Sequence, residues 1–245
     1  MIRGWYACDI GKVREENQDR HYFNNKRGIF AIADGMGGHS GGSIAARAAI
    51  LALADAYPDG RVTEASIRLA ADAAAKAVQE AAKTAGQAEA NMGTTLVALA
   101  VQGDAAVVAH CGDSRCYRLR SGLFELLTKD HSVLQEAADR GASKQELDNM
   151  YFTHGGHITN ALGRGYRGCT TQLVQLQLGD AFLLCSDGLN GMVSDGTIGG
   201  ILSNWQVAGW QPNGGQWPDV ADALVGAANA AGGKDNVTVG VAVIE

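Results

Sequence analysis

Short β-type runs that stop at an aspartate set the tightest limit on what this chain can fold into. Apolar stretches rich in Val, Ile, Phe and Cys recur at 2–9, 28–35, 94–102, 105–113, 115–120, 170–178, 181–188 and 236–244. Their length, and the Gly and Asp at their ends, predict strands. "VQGDAAV" and "QLGDAF" read as hairpin turns. In 170–178, Leu173, Gln175 and Gln177 alternate with Val174, Leu176 and Leu178, which predicts one wet face. Two alanine-rich stretches, 43–57 and 63–86, interrupt the strands and predict an antiparallel helix pair, broken at Pro58 and Gly60 and capped at Thr63. Further helices are expected at 132–140 and 218–231. Strands in hairpins and helices in pairs give an α+β class, with helices covering sheet faces. The 245 residues suit one domain, or two at most. The segment 205–217 holds three tryptophans, Trp205, Trp210 and Trp217. It is expected to fold back on the core, with a partner surface as the competing reading.

The aspartates fall in a pattern. Asp34 ends "FAIADG", Asp113 ends "VVAHCGD", Asp187 ends "FLLCSDG", and Asp235 precedes "NVTVGVAVI". One carboxylate at a strand mouth is an ordinary turn residue. Several at one end of a sheet would repel, and would need a cation or protons to coexist. Oxygen ligands select Mg²⁺ or Mn²⁺ over zinc. Paired divalent cations with a bridging water are a common device for cleaving phosphate esters. From spacing alone, a metal centre and a set of turn aspartates both stand.

The N-terminal "CDIGKVR" matches C-x-x-G-x-x-R, the signature of a thiolate phosphatase. A thiolate nucleophile needs a positive cradle. Cys8 instead has Asp9 beside it, and Glu15 stands where a Ser or Thr normally follows the arginine. The match reads as chance, although Arg14 suits phosphate binding under either mechanism. Five cysteines without a C-x-x-C pair predict reduced, mostly buried thiols. A net charge of −6 with no basic cluster argues against nucleic acid or anionic membrane as the main partner. There is no transmembrane-length apolar run and no signal-peptide layout at the start. A cytoplasmic monomer is the default expectation.

Eight motifs, "GKVREENQD", "ADGMGGHSGG", "MGTTL", "HCGDSRCYRLR", "LTKDHS", "ITNALG", "LGDAFLLCSDGL" and "KDNVTV", follow in this order over nearly the whole chain. Together they resemble the metal-dependent (PPM, type 2C) protein phosphatases in their short bacterial form. The resemblance implies one catalytic domain over 1–245, built as an antiparallel β-sandwich flanked by pairs of α-helices, with a flap at about 133–160. It implies hydrolysis of phosphoserine and phosphothreonine by direct attack of a metal-bridging water, with no phospho-enzyme, in opposition to a Ser/Thr kinase. It implies two core Mg²⁺ or Mn²⁺ ions and a looser third. By the same likeness Asp34 bridges the core ions and Gly35 offers its carbonyl. Asp187 and Asp235 complete the second ion's ligands, and Asp113 with Asp187 matches the third site. Gln18 and Asp19 match positions in contact with the ligands or their waters. Arg14 matches the arginine that grips phosphate, and Asn236 would orient the Asp235 loop.

Two places depart from the pattern. Met36 stands where eukaryotic relatives carry a histidine, leaving His39 as a weak candidate acid beside a metal-bound water. The flap has His154 and His157 but no His-Pro pair. His110 and His131 read as structural, Asp130 as flap positioning, and Thr94 and Thr95 as packed within the sheet. Two rivals remain: a Cys8 phosphatase, and a non-catalytic phosphoprotein-binding module. Retention of every expected carboxylate opposes the second.

Overall fold

The computed structural model describes residues 1–38, 41–57, 62–86, 92–154, 156–207 and 218–245. Two antiparallel sheets form its centre. One takes the order β1 (Ile2–Asp9), β11 (Val237–Ile244), β10 (Ala181–Cys185), β7 (Arg115–Arg120) and β8 (Leu123–Leu126). The other runs β2 (Asp19–Asn24), β3 (Ile29–Gly37), β5 (Leu96–Gln102), β6 (Ala105–Cys111) and β9 (Thr170–Gln175), and β4 (Met92–Thr94) pairs the end of β3.

Period-two alternation explains why these runs stack as a sandwich. On β3, Phe30 and Ile32 join Val97 and Leu99 of β5 and Phe182 and Leu184 of β10 in a core between the sheets. The intervening Ile29, Ala31 and Ala33 face outward into a second core. Strands apolar on both faces need cover on both. Helices α1 (Gly41–Ala56) and α2 (Glu64–Thr84) cover the β3 sheet. Their alanines, with Ala45, Ala46 and Ala49 fully buried, allow close approach. Thr63 caps α2 through a reciprocal pair: the Ser66 N–H donates to Thr63 Oγ1 at 3.1 Å and the Thr63 N–H to Ser66 Oγ at 2.9 Å. On the other sheet, the outward-facing Leu183, Val239 and Val241 pack under α6 (Asp195–Val207) and α7 (Pro218–Ala230). Four layers result, helix, sheet, sheet, helix. Trp205 packs against this last core. The rest of the tryptophan-bearing segment, 208–217, and the Pro58–Gly60 break lie outside the described residues.

Several expectations are corrected. "QLGDAF" is not a hairpin, because β9 and β10 belong to different sheets. The turn carries the chain between layers. Asp180 is buried there and takes two hydrogen bonds from Arg120, each at 2.6 Å. "VQGDAAV" does form the β5–β6 hairpin, with Gly103 at φ 64°. The wet-face reading of 170–178 holds for Val174, buried, against Leu173, 54% exposed, but Leu178 is also exposed. Strands β2 and β8 and helix α6 were not foreseen. The flap contains two helices, α3 (Val133–Asp139) and α4 (Lys144–His154), where one was expected. Its base is tied down by backbone bonds from His131 to Gly112 O and from Thr159 to His131 O, at 2.9 and 2.8 Å.

Candidate metal centre and catalytic cleft

The antiparallel register brings the strand ends that carry Asp19, Asp34, Asp113, Asp187 and Asp235 to one side of the sandwich. Asp34 near the end of β3 pairs directly with Asp19 at the start of β2. Asp113 lies just past β6, Asp187 just past β10, and Asp235 just before β11. The backbone of Asp34 is fixed on both sides. Its N–H donates to Thr95 Oγ1 at 2.9 Å, and its carbonyl accepts from the Thr95 N–H at 2.9 Å and the Thr94 hydroxyl at 2.8 Å. Beside it, a Cβ on Gly35 would overlap the Gly42 carbonyl, so only glycine lets the start of α1 close against β3.

Asp187 opens a single helical turn, α5 (Asp187–Asn190), entered through Ser186. The Ser186 hydroxyl donates to Asp19 Oδ2 at 2.7 Å and accepts the Thr238 N–H at 2.9 Å. A Cβ on Gly188 would overlap the Asn236 carbonyl, so the Asp187 and Asp235 turns are in contact. Asn236 is the cross-brace. Its N–H donates to Asp235 Oδ1 at 2.8 Å. Its side-chain amide donates to Ile10 O at 2.9 Å and Glu16 O at 3.0 Å, and its Oδ1 accepts the Gln18 N–H at 2.9 Å. The segment that carries Arg14 is thereby tied to the Asp235 turn. Arg14 itself donates to Asp235 Oδ2 at 2.6 Å, with over half of its side chain open to solvent.

These groups line an open cleft of about 1260 Å³, together with Gln18, Gly35 and His157. Crowded, desolvated carboxylates hold on to protons. Burial, then the charge of Asp187, pushes Asp113 up to about 8. Burial pushes Asp19 up to about 6, although the hydrogen bond from Ser186 acts the other way. Asp34 stands well above the ordinary carboxylate range through burial and the charges of Asp19 and Asp187. Burial, then the charge of Asp235, raises Asp187 too.

The donor set fits hard divalent cations. Buried oxygens on Asp19, Asp113 and Asp187 (Oδ1 in each case) have no hydrogen-bond donor, although native structures rarely leave such atoms unpaired. Among the described residues no three His, Cys, Asp or Glu side chains form a closed cage. Asp34, Asp113, Asp187 and Asp235 line the cleft with Asp19 behind Asp34, and any ligand set must also draw on backbone oxygen or water.

The other sequence candidates divide. His39 lies outside the described residues. Cys8 sits on β1 opposite Thr238, and burial followed by the charges of Asp19 and Asp9 raises its thiol pKa, the reverse of what a nucleophile needs. The other four cysteines are buried and free. Asp130 is held by Arg115 at 2.9 and 2.7 Å. His110 and His131 stack at 4.7 Å beneath the flap base. Thr94 and Thr95 hold Asp34 as well as the sheet. Sequence reasoning missed Ser186, Thr238 and Ser114, whose hydroxyl lies 2.7 Å from Thr95 Oγ1. A serine flanking a motif aspartate, at 114 and at 186, was the available signal.

Residues 12–212 match the family described as protein phosphatase 2C. The chain belongs to that family. It is 33% identical to the serine/threonine phosphatase stp of Listeria innocua, over 96% of this chain and 92% of the relative. It is 36% identical to the serine/threonine protein phosphatase PstP of Mycobacterium tuberculosis, over 99% of this chain but 45% of that longer protein. A crystal structure of the M. tuberculosis phosphatase PstP/Ppp superposes with a TM-score of 0.86 at 34% identity, covering 100% of this chain and 99% of that one. The catalytic domain of PstP in complex with two manganese ions gives 0.85 at 33% identity, covering 100% and 99%. Membership in the 2C family makes the chain a serine/threonine protein phosphatase that acts on phosphorylated proteins. Among the described residues no helix is long and apolar enough to cross a membrane.

Proposed function

We propose that the chain hydrolyses phosphoserine and phosphothreonine in proteins by direct in-line attack of water at a centre of two Mg²⁺ or Mn²⁺ ions. The observation that carries this reading is the convergence of Asp34, Asp113, Asp187 and Asp235 with Arg14 in one cleft, where Oδ1 of Asp113 and of Asp187 is buried without a donor. Asp34, Asp187, Asp235 and the Gly35 carbonyl are the groups assigned to the core ions. Asp113, beside Asp187, is assigned to a looser third. Bound cations would neutralise charge on the transferring phosphoryl group and lower the pKa of the attacking water.

The chain's own residues do the rest. The Arg14 guanidinium is exposed enough to reach an incoming phosphate and can fork onto two of its oxygens. The bond to Asp235 aims it across the cleft in advance, so little order is lost on binding. Asp19, with the Ser186 hydroxyl as donor, holds the floor beneath Asp34 and Asp187. Asn236 keeps the Arg14 segment and the Asp235 turn in register. The mismatch at Met36 leaves no side chain on the described floor as an evident acid, and water is assigned to protonate the leaving alkoxide.

The likeness to stp and PstP supports phosphoproteins made by a Ser/Thr kinase as substrates, and a net charge of −6 suits a soluble monomer. Assay of phosphopeptides in parallel with Mn²⁺, Mg²⁺, EDTA and a thiol alkylator tests the reading. Turnover should vanish with EDTA, return with Mn²⁺ and survive alkylation. Loss on alkylation would revive Cys8, and no turnover under any condition would favour a binding module.

A further inference from the structure

Past β1 the chain turns at Gly11, in the middle of the C-x-x-G-x-x-R stretch, with φ at 81°. A Cβ on Gly11 would overlap the carbonyl oxygens of Asp235 and Gly233, so the turn lies directly against the loop before β11. The Lys12 N–H donates to Gly233 O at 2.7 Å. Asp9, at the end of β1, ties both sides of this contact through one atom. Its Oδ1 accepts the Gly11 N–H at 2.8 Å and the Asn229 side-chain amide at 3.0 Å. Asn229 stands in the last turn of α7, 220 residues away in sequence. Beyond it the Gly232 N–H returns to Asn229 O at 3.2 Å and the Gly233 N–H to Ala228 O at 3.1 Å, which fixes the loop to the helix end. Arg14 leaves the joint three residues after Gly11, and Asp235 two residues after Gly233. A carboxylate beside the C-terminal turn of a helix faces the negative end of its dipole, so the stability of α7 does not explain the charge.

We propose that Asp9 is a positioning residue for the reaction: its carboxylate fastens the turn that aims Arg14 to the helix end that presents Asp235. The inference rests on the catalytic reading above. Asn236 braces the same two segments from the other end of the turn, through Ile10 O and Glu16 O. Asp9 braces them from α7. Without it, Ile10 O and the Lys12 N–H still hold the turn, which is then free to tilt about the line that joins them. Arg14 rides on that tilt, and its 2.6 Å bond to Asp235 does not survive it. A small misplacement of a group that orients phosphate costs about a hundredfold in rate.

Asp9→Ala, Asp9→Asn and Asn229→Ala test this, with steady-state kinetics on a phosphothreonine peptide and calorimetric titration of metal-stripped protein with Mn²⁺, both well below each variant's Tm. Asp9→Ala should raise KM at saturating Mn²⁺ by about tenfold or more, with kcat changed far less. It should also weaken Mn²⁺ binding by about tenfold, read without substrate or turnover. Asp9→Asn keeps an acceptor oxygen and should recover most of both losses. Asn229→Ala should move both quantities in the same direction, and it decides the matter should Asp9→Ala not fold. The double variant Asp9→Ala, Asn229→Ala should be no worse than Asp9→Ala, because the two residues share one bond. A residue that serves folding alone lowers Tm and leaves KM and Mn²⁺ affinity within about twofold of wild type, and that result would overturn the inference. So would an Asp9→Asn variant as impaired as Asp9→Ala. Turnover of the peptide by the wild type separates the failures. Its absence sinks the catalytic reading and this one with it. Its presence with unperturbed variants sinks this one alone.

Discussion

Asn236→Ala probes how the fold holds its chemistry together. The side chain is 5% exposed and makes three hydrogen bonds, with the Gln18 N–H and with the carbonyls of Ile10 and Glu16. Truncation strands all three partners. Each buried partner left unpaired costs about 1–3 kcal/mol, and the open cleft admits water, which favours the low end. A total of about 3 kcal/mol follows. Unfolding entropy of about 2.1 cal/mol/K per residue over 245 residues is about 0.5 kcal/mol/K, so Tm should drop by about 6 °C. The loosened joint also frees the Arg14 segment from the Asp235 turn. Loss of a contact that orients ligands typically costs about 10–100-fold in metal affinity or activity. Thermal melts with saturating Mn²⁺ and with EDTA, plus a Mn²⁺ titration of activity, read both effects. Asn236→Asp keeps the acceptor for Gln18 but turns a carboxylate oxygen onto the carbonyls of Ile10 and Glu16, and should cost at least as much as Ala. A Tm within about 1 °C of wild type together with an unchanged Mn²⁺ midpoint would refute the cross-brace.

Other outcomes follow from the same contacts. Asp34→Asn and Asp235→Asn should each lower kcat by orders of magnitude, while Arg14→Ala should chiefly raise KM, as steady-state kinetics on a phosphopeptide will show. Metal-free protein should become less stable as pH rises from about 4 through 8. Asp19 and Asp113 have folded pKa values raised to about 6 and about 8, so over that window the native state binds more protons than the unfolded chain, and stability falls with pH. Added Mn²⁺ should reverse this loss, most at high pH, in denaturant melts at fixed pH. Arg120→Ala leaves the buried Asp180 carboxylate unpaired and should cost about 3–5 kcal/mol in urea unfolding. The site lies at the far end of β7 and β10, so activity per folded molecule should persist.

What the sequence disclosed, and what it hid, divides by range. Alternation on β3, β5 and β10 was legible because each face is buried against a different layer. The alanine-rich helices and the Thr63 cap were legible because their signals are local. Strand β2, "DRHYFN", was hidden because charged and aromatic residues mix without alternation, and pairing with β3 decides it. Helix α6 carries Gly196, Gly199 and Gly200, which mask its propensity, and Gly199 is explained only by the Phe124 ring against it. "QLGDAF" carries a true turn signal, but a Gly-Asp turn looks the same whether the chain doubles back or changes sheets. The Arg120–Asp180 pair settles it from 60 residues away. At the site, the strand-end aspartates and Arg14 were readable one by one. That Ser186 binds Asp19, or that Asn236 reaches residues 10, 16 and 18, was not, because those contacts join segments more than 160 residues apart.

Anomalous scattering from manganese-soaked crystals tests the central claim most directly. Two strong manganese peaks are expected in the cleft among Asp34, Gly35, Asp187 and Asp235, and a weaker one between Asp113 and Asp187. A cleft without manganese at saturating concentration, or manganese bound only away from these oxygens, would contradict it.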